Sequence, residues 1–252
     1  MEILFFAGIF LLGLCVGSFL NVAIFRVHEG EQVVRGRSKC MKCEQPLGPR
    51  DLVPVLSYLA LKGRCRRCKA VVSWQYPVIE LVTGVLFVGL YLLHGWELVF
   101  VRDAVFVSYL IIIFVYDLRH MLILDKFTIP AMIFAVLVNL WLGLVPAWSM
   151  LLGGVVLASF FWIQLLISQG KWVGGGDIRM GALMGFMLGL THGAVGLFLA
   201  YVLGGLVGAY LLVTRKVDRK TPIPFGTFMA VGALAMLLVG DSIIGWYLGL
   251  FR

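Results

Sequence analysis

Two carboxylates stand out in a chain that is otherwise mostly hydrocarbon. Asp117 closes the apolar run Ile111-Ile-Ile-Phe-Val-Tyr116, and Asp177 follows Gly174-Gly175-Gly176. An acid at the edge of a membrane is costly, and such acids usually mark a working site. Each also has a plainer reading. Asp177 at the start of a helix could serve as an N-cap, where the helix dipole favours it. Asp117 could be an ordinary helix-end acid, although a negative charge at a helix C-terminus opposes the dipole. Brought together in a partly dry site, two carboxylates cannot both ionise easily; one keeps a proton and their titrations couple. Such a pair can hydrolyse a peptide bond without a covalent step. One acid takes a proton from water while the other donates to the scissile carbonyl. The three glycines remove side chains where another backbone could approach. Asp125, ahead of Lys-Phe-Thr, reads mainly as a helix cap.

A second constellation is Cys40-Met-Lys-Cys43 and Cys65-Arg-Arg-Cys68, with 21 residues between the pairs. Each CxxC makes a tight knuckle, and two knuckles offer four thiolates in a tetrahedron that suits structural zinc. Reduced, unliganded or redox-active cysteines are the other reading. Zinc would also stabilise an insert of about 50 residues that is too small to build a good core. Cys15, in the middle of an apolar run, reads as a small buried hydrophobe. No Ser/His/Asp arrangement competes with the acids. The four histidines share no metal-ligand spacing, and no Walker-type phosphate loop is present.

The elements that must carry these groups are membrane helices. Of 252 residues 61% are hydrophobic and 13% charged, with a mean hydropathy of +1.00, which excludes an ordinary soluble domain. Runs of suitable length predict about eight spans: 3–25, 77–94, 98–116, 127–147, 149–169, 178–190, 193–214 and 227–249. The sixth is short and rich in Gly and Met. The first is too long for a signal-peptide core and reads as a retained helix. Residues 26–76 carry 11 Lys/Arg, so the positive-inside rule puts this insert in the cytoplasm and the N-terminus outside. Alternating from there, 19 of the 21 basic residues become cytoplasmic, leaving only Arg102 and Arg252 outside. The formal charge of +8 is then explained by topology, and no nucleic-acid partner is expected. Asp117 and Asp177 fall at the cytoplasmic boundary, whereas Asp103 and Asp241 fall at the other face. The expected architecture is an all-α polytopic membrane protein: a first helix at 1–26, a cytoplasmic zinc-binding insert with four cysteines at 27–76, and a transmembrane core at 77–252.

These residues together resemble the type IV prepilin peptidases, membrane aspartic peptidases with a GxGD motif. Tyr116-Asp117, Asp125-Lys-Phe-Thr-Ile-Pro130 and Gly174-Gly-Gly-Asp177 match that family, as do Ser18 to Arg26, the two CxxC motifs, Ser73-Trp-Gln-Tyr-Pro77 with Glu80, and Pro222-Ile-Pro-Phe-Gly226. Departures include Leu124 and Met41 at common prolines, Lys69 at a common glycine, and Thr227 at a second proline after Phe-Gly. The resemblance implies an enzyme of the bacterial inner membrane. It would cleave leaders of prepilins or secretion pseudopilins at the cytoplasmic face, with Asp117 and Asp177 as the catalytic pair. It further implies N-methylation of the new terminal residue with S-adenosylmethionine as donor. Asn21, Arg26 and Glu80, polar residues at membrane edges, are the candidates for the donor's site; inter-helix hydrogen bonding and snorkelling explain them equally. Expected partners are prepilin substrates and the lipid bilayer. A transporter using the same acids as an ion site is the alternative, disfavoured because both acids sit at one face and no inverted repeat is evident. A structural protein whose metal loop binds a partner would leave Gly174–Gly176 without a purpose.

Overall fold

The computed structural model describes residues 2–216, 218 and 221–250, so Arg219, Lys220 and Arg252 of the charge argument lie outside the described residues. The chain forms two compact units, Met1–Ile112 and Ile113–Arg252.

The first unit holds α1 (Glu2–His28), the short α2 (Leu56–Ala60) inside the insert, α3 (Gln75–His94) and most of α4 (Leu98–His120). Without water in the bilayer, every backbone group must be paired within the helix, so long apolar runs become helices. α1 and α3 pack through small residues; a Cβ on Gly17 would lie 2.7 Å from the Glu80 Cα. At the opposite end of the pair, Asp103 is fully buried, with Arg102 Nε at 2.6 Å and His94 Nε2 at 3.0 Å. It is an ion-paired structural acid 14 residues before Asp117 on α4, about 21 Å along the helix.

The second unit holds the last turns of α4 with α5 (Asp125–Leu142), α6 (Ala147–Ser168), α7 (Gly175–Val213) and α8 (Phe225–Gly249). Among the described residues seven helices are long and apolar enough to cross a membrane, against the eight spans expected. The difference lies in α7, whose 39 residues take in the short sixth predicted span and nearly all of the seventh. This element is not straight. Gly189 adopts φ +77° and ψ −179°, and the chain folds back on itself there. A Cβ on Gly196 would lie 3.2 Å from the Met184 Cε, and one on Gly193 3.4 Å from the Met184 carbonyl oxygen. In a straight helix, residues 184 and 196 would be about 18 Å apart. The reversal frees backbone groups that lipid cannot satisfy, and neighbouring polar side chains take them up. Asn139 Nδ2 donates to the carbonyls of Phe186 (2.9 Å) and Met187 (3.2 Å), and the Leu190 N–H donates to Ser149 Oγ (3.1 Å). The path is therefore that of two antiparallel segments, 175–188 and 190–213.

Other boundaries shift for local reasons. α5 stops at Leu142 because Gly143 takes a left-handed conformation, ahead of Pro146. α4 runs on to His120, so Asp117 sits within its last turn rather than just beyond it.

Candidate functional site

Asp177 is the third residue of α7. Its Oδ2 accepts the Gly174 N–H at 2.8 Å, while its own N–H donates to the Gly174 carbonyl at 3.1 Å. This reciprocal pair ties off the helix N-terminus. The three glycines are not equivalent. A Cβ on Gly174 or Gly175 would meet nothing closer than 3.7 Å, whereas one on Gly176 would lie 2.9 Å from the Ile123 Cβ. Ile123, in the turn between α4 and α5, also presses on Gly226, where a Cβ would lie 2.6 Å from its Cδ1. The residue before Asp177 and the residue before Thr227 thus close on one side chain.

Asp117 is buried, 4% exposed. Its Oδ2 accepts the backbone N–H of Thr227 at 2.7 Å and the Thr227 hydroxyl at 3.1 Å, and the Gly226 N–H points at the same carboxylate. Gly226 and Thr227 are the second and third residues of α8, whose N-cap, Pro224, makes no side-chain capping bond. The first N–H groups of a helix have no partner within it. Here an acid 110 residues away in sequence fills that role. The arrangement removes the objection to an acid at the end of α4, because the positive end of α8 offsets the negative end of α4. Both acids therefore lie at helix N-termini, and Asp117 is the charged neighbour of Asp177.

Asp177 also faces Tyr201, which exchanges hydrogen bonds with Gln164 and packs beside Phe161 and Phe225. Asp125 does not cap α5; Leu124 is the N-cap and the Asp125 carboxylate pairs with Arg179, two residues past Asp177. Asp241 is 14 residues beyond Thr227 on α8 and pairs with His192 at 3.0 Å, so it cannot join Asp117. Sequence reading missed the part played by Thr227, noted only as a departure. The signal was the Pro222-Ile-Pro224 break, which forces a helix start and so a set of unpaired N–H groups at that boundary.

In the insert, the two CxxC segments repeat one geometry at an offset of 25 residues. The N–H groups of Cys40 and Cys65 donate to the carbonyls of Gln45 and Ala70, and single antiparallel bridges join Lys39 to Pro46 and Arg64 to Val71. Glu44 and Lys69 take equivalent left-handed conformations, φ +54° and +58°. Lys69, where the family favours glycine, thus stands at a position that costs a side-chain-bearing residue about 1–2 kcal/mol. The sulfurs of Cys40, Cys43, Cys65 and Cys68 all lie within 4.8 Å of one another, and Cys40 and Cys68 are 3.8 Å apart. That is too long for a disulfide, and it matches the sulfur–sulfur edge of roughly 3.8 Å in a thiolate tetrahedron with metal–sulfur bonds near 2.3 Å. The Cys43 and Lys42 N–H groups draw the Cys40 thiol down to about 6. For Cys68 the Ala70 N–H pulls the same way, but burial and the other three thiols outweigh it and push Cys68 up to about 11. Four thiols crowded in this way can hold a metal ion.

Asn21, Arg26 and Glu80 all tie the insert to its helices. Asn21 donates to the carbonyls of Gly17 and Tyr76 and accepts from Gln75. Arg26 donates to the carbonyls of Val33 (2.8 Å) and Arg35 (3.1 Å). Glu80 Oε2 accepts the N–H of Val55 at 2.7 Å, and the Glu80 carboxylate also bonds Ser18. Val55 is held at φ +60°, an uncommon conformation for a β-branched residue and one that clusters at functional positions.

Family models match the chain in two stretches. Residues 11–94 match the bacterial peptidase A24 N-terminal domain, and residues 104–209, with Asp117 and Asp177, match the type IV leader peptidase family. Among curated proteins, a prepilin leader peptidase/N-methyltransferase of Bacillus subtilis is 35% identical over 95% of this chain and 96% of its own length. One from Aeromonas salmonicida is 32% identical over 97% and 94%, and one from Myxococcus xanthus 36% identical over 86% and 67%. No solved structure is significantly similar. With apolar helices long enough to span a membrane and a curated relative matched over 95% of this chain's length, this multi-pass membrane protein belongs to the type IV leader peptidase family.

Proposed function

We propose that this chain cleaves the leader peptides of type IV prepilins or secretion pseudopilins with Asp117 and Asp177, and then N-methylates the new N-terminal residue. The observation that carries the reading is the pair itself: two carboxylates at the N-termini of α7 and α8, each the other's neighbour, in a chain whose relatives bear this activity in their names. A water between them loses a proton to one acid as it attacks the scissile carbonyl, and the other acid protonates the carbonyl oxygen. The tetrahedral intermediate then collapses, and the departing amine takes up a proton. The low dielectric at a membrane edge strengthens both transfers.

The positions of Lys and Arg support a cytoplasmic active face and an inner-membrane location. Among the described residues of the second unit, Arg119, Lys126, Lys171, Arg179, Arg215 and Lys216 all lie near the helix ends that carry Asp117 and Asp177. Residues 27–76 form the methylation-associated insert and 77–252 the peptidase core. Cys40, Cys43, Cys65 and Cys68 hold a structural zinc that braces this insert; metal analysis finding none would remove that part of the reading. S-adenosylmethionine supplies an electrophilic methyl group to the freed amine. Asn21, Arg26 and Glu80 are its candidate binding residues.

Co-expression with a prepilin, followed by mass spectrometry of the pilin N-terminus, tests cleavage and methylation together. Asp117→Asn and Asp177→Asn are each expected to leave the leader attached while the protein stays folded in the membrane. Cleavage at a near wild-type rate by either variant would end the assignment. A cleaved but unmethylated terminus from the wild type would reduce the activity to the peptidase alone.

A further inference from the structure

We propose that Thr227 is a positioning residue for hydrolysis: its N–H and its hydroxyl together fix Oδ2 of Asp117, so that Oδ1 is the oxygen that works on water. This rests on the reading of Asp117 and Asp177 as the hydrolytic pair. Both hydrogen bonds recorded between Thr227 and Asp117 end on Oδ2, at 2.7 and 3.1 Å. Both residues are nearly dry, 4% and 6% exposed, and hydrogen bonds are stronger where water is excluded. Two donors from one residue, one from backbone and one from side chain, define the carboxylate plane as a single donor would not. Among the described residues Asp177 has no such clamp; the hydrogen bond its carboxylate accepts comes from Gly174 at the start of its own helix.

The clamp gives the two acids different parts. Asp117 accepts two hydrogen bonds from Thr227 where Asp177 accepts one from Gly174; donors to a carboxylate favour its charged form, which gives Asp117 the base's part and leaves Asp177 to carry the proton to the carbonyl. Asp177, on α7, is the charged group that faces Asp117; from α8 the facing groups are the N–H donors and the hydroxyl, and on α4 Tyr116, Arg119 and His120 are the nearest ionisable residues in sequence.

The test uses the purified full-length protein with a prepilin substrate, read as kcat and KM across pH. Thr227→Val removes the hydroxyl alone; Thr227→Ser keeps it and removes only the methyl. Thr227→Val is expected to lower kcat about tenfold with KM little changed, the loss of one hydrogen bond to a charged group. Without that donor Asp117 protonates more readily, so the acid limb of the pH profile moves to higher pH. Thr227→Ser is expected to restore both kcat and the acid limb. A Thr227→Val enzyme with wild-type kcat and an unmoved acid limb would overturn the proposal. So would equal, pH-independent losses in both variants, which would mean packing alone. Asp117→Asn is run beside them: activity there overturns the dyad itself, and inactivity there with an unaffected Thr227→Val overturns only the clamp.

Discussion

At the scale of single residues, the glycines ahead of Asp177 separate into two kinds. Gly176 is required by contact, because a Cβ there would meet the Ile123 Cβ at 2.9 Å, and Ile123 also abuts Gly226 beside Thr227. A methyl at 176 therefore pushes on the side chain packed against both the residue before Asp177 and the residue before Thr227. A Cβ on Gly175 would meet only the Arg179 guanidinium, at an ordinary contact distance of 3.7 Å. Gly176→Ala is expected to cut prepilin cleavage at least tenfold, a displacement cost typical of misplaced catalytic groups, on the order of 10 to 100. Gly175→Ala is expected to retain most of it. Equal losses in a cleavage assay would show that backbone freedom, not the Ile123 contact, is what the motif supplies. The acids, the thiols and the glycines are plain in the sequence, because costly or unusual residue types announce themselves. The ranking of the three glycines is not, since it depends on one isoleucine 53 residues earlier than Gly176.

At the scale of elements, α7 shows what periodicity can and cannot see. A short apolar stretch before residue 190 and a full-length one after it predict two spans, and the chain does fold back there, yet without a loop. A turn made by one glycine carries no polar run or proline to mark it. Its supports lie on other helices: Asn139 on α5, which holds two carbonyls, and Ser149 on α6, which takes the Leu190 N–H. Asn139 reads in sequence as one stray polar residue among lipid-facing ones. The same blindness hid the capping of α8 by Asp117, because a cap is expected from the residues just before a helix. The reversal yields a firm expectation. Gly189 sits in a region of φ and ψ open essentially to glycine alone, and a Cβ there would also lie 2.8 Å from Ser149 Oγ. Gly189→Ala should destabilise the second unit by about 2–3 kcal/mol or more. Thermal unfolding in detergent checks this, with Gly205→Ala, at an uncrowded helical position, as the neutral comparison.

At the scale of the whole molecule, the same reversal decides which side of the membrane the chain ends on. Asp117, Asp177 and Thr227 meet at one face, so α7 must leave that face and return to it before α8 begins. A straight α7 would deliver α8 to the other face, out of reach of Asp117. With 175–188 and 190–213 counted as an outward and a return path, α8 sets out from the active face and ends on the side opposite it. The first of those segments spans only about 21 Å at 1.5 Å per residue, short of a typical hydrocarbon core of about 30 Å. Its turn at Gly189 is packed against Ser149 of α6 and Val145 of the α5–α6 turn, as irregular backbone near a membrane is tolerated only if protein surrounds it. With the active face cytoplasmic, as proposed, a reporter fused after Leu250 should report the periplasm, as should a cysteine placed at the exposed Leu144 in the α5–α6 turn. Cysteines at Leu122 and at Lys171 should be labelled only from the cytoplasm. A cytoplasmic C-terminus would mean that α7 crosses only once, and it would separate Thr227 from Asp117 by the width of the bilayer.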